Sequence, residues 1–327
     1  MNRKFLIAVD SGKHTTKAVM KTEGVIQKVK FRTKVAEVHD LGVEIFPNTH
    51  LIKFGNKNYL IGDMLSEEKT DYELSKQTLG HKLCIYTAIA RVLEKSKESI
   101  AFADVDLAIN IPLNLYKNEQ KKKEFSEFIQ NNGQLIGLEV NGKAFSFRIN
   151  SVLLLPEALG TIYQKMDEYR NKRVLVVDIG SLNTSYLEFY NLIPQYERMA
   201  VSNLGVNILR GQIAETLSTR YGTMITDDVV QQIFQDGYLY LNGEKQEESR
   251  KLIETMIDNH VHQILNYAKS RKISFANTFV VFVGGGSLLL KDAIKQQLPF
   301  AMIAPDAQFA NVITFLTVLE AKVNGKA

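Results

Sequence analysis

Two stretches roughly half the 327-residue chain apart carry one pattern. Near the start, an apolar run ending at Val9 leads into Asp10-Ser11-Gly12-Lys13-His14-Thr15-Thr16. Beyond the midpoint, an apolar run ending at Val177 leads into Asp178-Ile179-Gly180-Ser181-Leu182-Asn183-Thr184. Short β-branched apolar runs of this kind read as buried strands. In both places the strand is followed by Asp-x-Gly-x-x-x-Thr and then by a return strand. One such segment is an ordinary hairpin whose aspartate caps a turn. Two of them, at half-chain spacing and each opening an alternating α/β pattern, point to two related domains facing each other. A chain of this length suits about two domains.

The two turns share a chemistry. Glycine lets backbone N–H groups approach an anion without a Cβ in the way. The hydroxyls of Thr15, Ser181 and Thr184 can add hydrogen bonds, and Lys17 is a point cation for phosphate. A carboxylate at the end of each strand, Asp10 and Asp178, can hold Mg²⁺ through its water shell, because that ion sheds water reluctantly. Such a pair of loops suits a triphosphate gripped from both sides.

Two further segments join them. Pro156-Glu157-Ala158-Leu159-Gly160 follows a buried strand, and the spacing predicts a helix over 157–166, opened by Pro156. Glu157 by itself is a carboxylate well placed for a helix dipole. Beside two phosphate loops it is a candidate for orienting an attacking water, since phosphoryl transfer needs in-line positioning more than a strong base. Gly284-Gly285-Gly286-Ser287 ends another buried strand and leads into a helix expected over 288–297. A Rossmann fingerprint is absent there, because Leu289 fills the place of its third glycine.

Elsewhere the pattern predicts hairpins at 17–29 and 52–62, a buried strand at 105–111, and a strand pair at 143–155 turning around Asn150. Helices are expected at 81–95, 118–131, 203–219, 227–236, 247–270 and 310–323. The lysines at 121–123 read as a solvated helix face. With 40 basic and 36 acidic residues the formal charge is +4, too small and too interspersed to argue for nucleic acid or a membrane surface. The lone Cys84 permits no intrachain disulfide, in keeping with a reducing cytoplasm. The opening residues do not read as a signal peptide, and no apolar run nears the roughly 20 residues a membrane span requires.

Taken in order, these segments resemble the actin-like ATPase superfamily: two phosphate loops, two connecting helices and a glycine-rich adenosine loop. Residues 10–17 resemble the first loop, 156–160 the first connection, 178–184 the second loop, 283–287 the adenosine loop and 305–319 the second connection. The resemblance implies an α/β, actin-like (ribonuclease H-like) duplicated fold with a nucleotide cleft between the domains. Domain I would cover 1–155, completed by a final helix at about 310–327, and domain II would cover 156–309. Within the superfamily the chain is most similar to the bacterial plasmid-segregation actins, the ParM group, through residues 145–157, Ser202-Asn203-Leu204-Gly205 and Gln308-Phe309-Ala310-Asn311.

That resemblance implies ATP as cofactor, with GTP possible, together with Mg²⁺. It implies a cytoplasmic protein that self-associates into filaments, and an adaptor protein bound to centromere-like plasmid DNA as partner, with no direct nucleic-acid or membrane contact. Asp10, Asp178 and Glu157 would be the catalytic set, with Asp10 and Asp178 on the hydrated metal. Ser11, Gly12, Lys13, Thr15, Lys17, Gly180, Ser181, Asn183, Thr184, Gly205, Asn207, Gly284, Gly285, Gly286 and Ser287 would surround the nucleotide. Gly205 and Asn207 would approach the ribose. Departures from the family pattern are Lys13-His14 where small residues are usual, Ser181 for an acidic residue, Ser185 for aspartate and Thr314 for glycine.

A small-molecule kinase of the same superfamily shares this nucleotide site. It would need a base and a pocket for an acceptor hydroxyl, which no extra aspartate or histidine obviously supplies, although His14 is unassigned. A chaperone-type ATPase would append a peptide-binding region after the returning helix. Filament contacts are expected on surface segments such as 39–50 and 238–248.

Overall fold

The computed structural model describes residues 3–39, 44–70, 76–96 and 102–325. The chain divides into two compact units, one of residues 1–157 with 311–327 and the other of residues 158–310. Part of the 39–50 segment lies outside the described residues.

The first unit begins with β1 (Arg3–Ser11), β2 (Thr15–Thr22), β3 (Val25–Arg32), β4 (Val35–Val38), β5 (Thr49–Phe54) and β6 (Lys57–Gly62). It continues through helix α1 (Leu79–Glu94), β7 (Ala103–Ile111), α2 (Leu113–Tyr116), α3 (Glu119–Gln130), β8 (Ile136–Val140) and β9 (Lys143–Pro156). Among the described residues nine strands form one sheet in the order β3-β2-β1-β7-β9-β8-β5-β6-β4. Its centre is parallel: Val9 pairs with Ile109, and Ile109 with Leu154. At that centre Ile7–Val9 and Leu107–Ile109 are apolar and fully buried, as strands covered on both faces require. Helix α1 starts where the Thr78 side chain accepts the N–H of His81, and it buries Leu83, Ile85, Tyr86, Ile89 and Val92. Helix α3 runs between Asn118, whose side chain caps Lys121 N–H, and Asn131 in the left-handed conformation.

The second unit contains α4 (Met166–Tyr169), β10 (Arg173–Ile179), β11 (Thr184–Tyr190), β12 (Ile193–Pro194), β13 (Ala200–Ser202), α5 (Val206–Tyr221), α6 (Asp227–Asp236), β14 (Leu239–Leu241) and β15 (Glu244–Gln246). Then come α7 (Glu247–Ser270), β16 (Phe279–Val283), α8 (Gly285–Leu289), α9 (Lys291–Gln297) and β17 (Met302–Ile303). Its main sheet runs β12-β11-β10-β16-β17, with β13 also on β11. Leu175, Val177, Leu209, Ile213, Ile264 and Phe282 form the centre of its core. The last helix, α10 (Ala310–Val323), has its residues from 311 onward in the first unit. There Lys21 Nζ lies 3.9 Å from the Glu320 carboxylate.

The architecture is thus two mixed α/β units, each built on a sheet whose first hairpin carries the repeated motif. Four local expectations need correction. Residues 157–166 form no helix but a run of turns ending in α4, because Ala158 and Gly160 both take positive φ, 64° and 58°. Residues 143–156 form one long strand rather than a strand pair. Asn150 is the extra residue of a bulge, since Val105 pairs with Ile149 and Asp106 with Ser151. The helix expected from 203 starts at Val206. The helix expected over 288–297 is two short ones, and it is Gly285 and Gly286 that open the first.

Candidate functional site

In the first unit the motif is the tip of the β1–β2 hairpin. Asp10 pairs with Lys17 and Ser11 with Thr16 across the two strands. Gly12 N–H donates to the Thr15 carbonyl at 3.2 Å, closing the loop. A Cβ on Gly12 would lie 2.8 Å from that same oxygen, so this turn admits only glycine. Lys17 Nζ donates to Asp10 Oδ2 at 2.7 Å, with both side chains largely buried. Thr33 Oγ1 donates to the Gly12 carbonyl at 2.8 Å, and Thr33 N–H to the His14 carbonyl at 2.9 Å, so the residue that follows β3 braces the loop. His14 Nδ1 is 2.7 Å from Thr15 Oγ1.

Ser11 faces inward and is fully buried. Its N–H donates to Asn110 Oδ1 at 2.8 Å, and its Oγ lies 2.7 Å from His81 Nε2. The structure therefore gives Ser11 the role of fastening the loop to β7 and α1. Asn110 also donates from Nδ2 to Glu157 Oε1 at 3.2 Å, and Lys76 Nζ donates to that oxygen at 2.8 Å. Glu157 N–H in turn donates to the Ile111 carbonyl. Asp10, Lys17, Ser11 and Glu157 are thereby tied together through the parallel ends of β1, β7 and β9. Asn110, Lys76 and His81 were absent from the sequence-derived set. Each is a buried polar residue joined to the motif only by the fold, with no local signal of its own.

In the second unit the β10–β11 hairpin repeats the construction. Asp178 pairs with Ser185 and Ile179 with Thr184. Gly180 N–H donates to the Asn183 carbonyl at 2.9 Å, and a Cβ on Gly180 would lie 3.1 Å from it. Gly12 with Thr15 and Gly180 with Asn183 are the same turn built twice. The start of α5 packs beneath this loop: Val206 N–H donates to the Gly180 carbonyl at 3.1 Å and Asn207 N–H to that of Ser181 at 2.9 Å. A Cβ on Gly205 would lie 2.2 Å from the Ser181 carbonyl oxygen. Thr184 is buried and donates from Oγ1 to the Leu204 carbonyl at 2.7 Å. Gly205 and Asn207 thus meet the loop through their backbone.

The triple glycine meets the same loop. Gly284 has φ 85° and ψ 165°, a region open in practice to glycine alone. A Cβ there would lie 2.4 Å from Asp178 Oδ1, and one on Gly286 would lie 2.4 Å from Ile179 Cγ2. Ser287 Oγ donates to the Gly284 carbonyl at 2.8 Å, and Gly284 N–H to that of Ala307. Gln308 Nε2 would be 3.6 Å from a Cβ on Gly285. Asp178, Gly180–Thr184, Gly205, Gly284–Ser287 and Gln308 therefore lie together around one loop, with Thr184, Gly205, Gly286 and Ser287 buried behind it. In each unit a strand-end aspartate, a glycine turn and a set of backbone and hydroxyl groups lie together.

This is the construction of a duplicated α/β protein with the same glycine turn at a hairpin tip in each unit. A family model described as "Actin like proteins N terminal domain" matches residues 8–160. A second, "Archaeal actin homologue MreB-like, C-terminal", matches residues 176–296. No curated protein matches the chain. Among solved structures, an archaeal actin homologue, Ta0583, aligns with a TM-score of 0.79 at 16% identity, over 97% of this chain and 99% of its own. ParM from Clostridium botulinum, taken from a 15-stranded filament, gives 0.79 at 18%, over 98% and 99%. Alp12, solved as a filament, gives 0.71 at 26% identity, over 98% and 99%. The chain belongs to the actin-like superfamily, and its structural neighbours include ParM proteins and archaeal actin homologues.

Proposed function

We propose that this chain binds ATP with Mg²⁺ on its two glycine loops, assembles into filaments in the nucleotide-bound state and hydrolyses the nucleotide. The observation that carries the reading is the duplicated turn: Gly12 to Thr15 and Gly180 to Asn183, each behind an aspartate at a strand end. The archaeal homologue has also been solved in complex with ADP, at a TM-score of 0.75 and 16% identity over 97% of this chain. The donor chemistry fits a hydrated magnesium triphosphate. Gly12, Lys13, Thr15, Gly180, Ser181 and Asn183 would meet phosphate oxygens, with Lys17 as a cation beside them. Asp10 and Asp178 are single carboxylates, suited to a metal that keeps its waters. Ser11 and Thr184 hold the loops from within, and Gly205, Asn207 and Gly284–Ser287 form the floor beside Asp178.

When bound, the nucleotide supplies the γ-phosphoryl group. Glu157, anchored through Oε1 by Lys76 and Asn110, orients a water with its carboxylate. Filament assembly rests on the likeness to Alp12 and ParM, both solved as filaments. By the same likeness we place the chain in plasmid DNA segregation, in the cytoplasm, with an adaptor protein linking filament to DNA. Light scattering at micromolar protein tests the core of this. The signal should rise on adding ATP with Mg²⁺ and fall as nucleotide is spent. A flat trace, with turnover only when a small hydroxyl compound is present, would instead identify a kinase.

A further inference from the structure

Asn110 touches two parts of the first unit that are remote in sequence. Its Oδ1 accepts Ser11 N–H at 2.8 Å, and its Nδ2 donates to Glu157 Oε1 at 3.2 Å. The partners decide the orientation of the amide. Turned over, it would set NH₂ against an N–H and a carbonyl oxygen against a carboxylate. Asn110 is 1% exposed, so its bond to Ser11 is closed off from bulk water, while the bond to Glu157 reaches a carboxylate that is 17% exposed. Lys76 Nζ holds the same Oε1 at 2.8 Å. Both donors grip one oxygen of Glu157, and Oε2 receives neither.

We infer that Asn110 is a positioning residue that couples the first glycine loop to Glu157, so that a shift of Ser11 in the loop is passed to the carboxylate. The inference rests on the reading of Glu157 as the water-orienting group. The β7 end is a suitable carrier, because it lies between β1, which leads into the loop, and β9, which leads into Glu157. Coupling through one rigid amide needs no movement of the strands themselves. An asparagine present only to satisfy a buried N–H at a strand end would serve Ser11 alone. The second bond, to Glu157, is what that simpler role does not need.

The test uses the full chain and two variants. Asn110→Asp keeps an acceptor for Ser11 N–H but turns a second carboxylate toward Glu157, while Asn110→Ser is neutral and too short to span both partners. In nucleotide-free protein, the ¹³C resonance of the Glu157 carboxyl should move from its parent position in Asn110→Asp, because Oε1 loses the N–H that Asn110 donates to it. The Ser11 amide resonance should stay near its place in that variant. On adding a non-hydrolysable ATP analogue with Mg²⁺, the Glu157 resonance should move in the parent. In Asn110→Ser the loop amides should still respond while Glu157 does not. Turnover should fall by about tenfold or more in both variants, with the nucleotide Kd changed less than about twofold, as small misplacements of a reacting group cost rate rather than binding.

A Glu157 carboxyl resonance unmoved in Asn110→Asp overturns the coupling, as does a Glu157 response that persists in Asn110→Ser. Should Asn110→Asp fail to fold, the Asn110→Ser comparison decides. If the parent binds no nucleotide the functional reading fails instead, and the nucleotide-free spectra still decide whether Asn110 and Glu157 are linked.

Discussion

Asp10 and Lys17 face each other across the β1–β2 hairpin as a buried ion pair 2.7 Å apart, whereas the same position of the β10–β11 hairpin pairs Asp178 with Ser185. The repeated motif is therefore electrically unequal. One aspartate is neutralised from its own hairpin and the other faces a hydroxyl-bearing residue. Removing one partner of a buried pair leaves the other charge uncompensated, at a cost of about 3–5 kcal/mol. Lys17→Met should accordingly lower unfolding stability by about 3 kcal/mol in nucleotide-free protein. Adding Asp10→Asn should return part of the loss. Urea denaturation of the parent and the two variants checks this.

If Asp178 serves the hydrated cation, its loss should appear in the magnesium dependence. Asp178→Asn is expected to raise the Mg²⁺ concentration needed for half-maximal nucleotide binding by about tenfold, the equivalent of about 1.4 kcal/mol. Fluorescent-nucleotide titrations at several Mg²⁺ concentrations measure it, and an unchanged curve would count against the assignment.

Gly284 separates shape from chemistry. Its φ of 85° and the 2.4 Å approach of a Cβ to Asp178 Oδ1 leave alanine no room. Gly284→Ala should destabilise the second unit by about 2 kcal/mol or more and weaken nucleotide binding with it. Gly211, inside α5 with no heavy atom within 4 Å of a Cβ, is the control. Gly211→Ala should stabilise by about 0.5–1 kcal/mol. Thermal melts of both variants decide.

Glu157→Gln retains the shape of the side chain and loses its charge. Nucleotide affinity should hold while the hydrolysis rate falls by about a hundredfold, because the water loses its orienting carboxylate. Phosphate-release assays beside binding isotherms give both numbers. Equal turnover in variant and parent would remove Glu157 from the mechanism.

The first unit also carries a pH dependence. Burial, aided by the charge of Arg91, pushes His50 down from 6.5 to about 4. The folded state keeps the ring neutral, while the unfolded chain takes up a proton near pH 6.5. The stabilisation is thus whole above pH 6.5, is lost as pH falls toward 4, and changes no further below that. Its full size is at most about 3 kcal/mol. The urea midpoint should fall between pH 7 and pH 4.5, and His50→Leu should flatten that fall.

The elements legible in the sequence were those with a local cause. Asn118 capped α3, the alternating residues of 52–62 made a hairpin around Gly55-Asn56, and α6, α7 and α10 followed their apolar stripes. Where the deciding contact was remote, local pattern failed. Ala158 and Gly160 look helix-compatible beside Pro156, yet a Cβ on Gly160 would press within 2.8 Å of Val176, and both residues take left-handed backbone. Strand β8 does alternate, with Ile136, Leu138 and Val140 buried, but it is only five residues long and its place between β5 and β9 is set by remote pairing. The two glycine turns could be read because each is complete within seven residues. Asn110, Lys76 and His81 could not, since a polar side chain in or next to an apolar element declares no purpose until the fold supplies its partner.

Translation makes these two units unequally. Residues 158–310 leave the ribosome as one uninterrupted run and can fold as soon as they emerge. The unit begun first is finished last, because it must wait for residues 311–327 while all of its neighbour is being synthesised. During that interval the amino-terminal half lacks the helix that completes its unit, and the apolar surface which that helix covers in the folded protein has no partner.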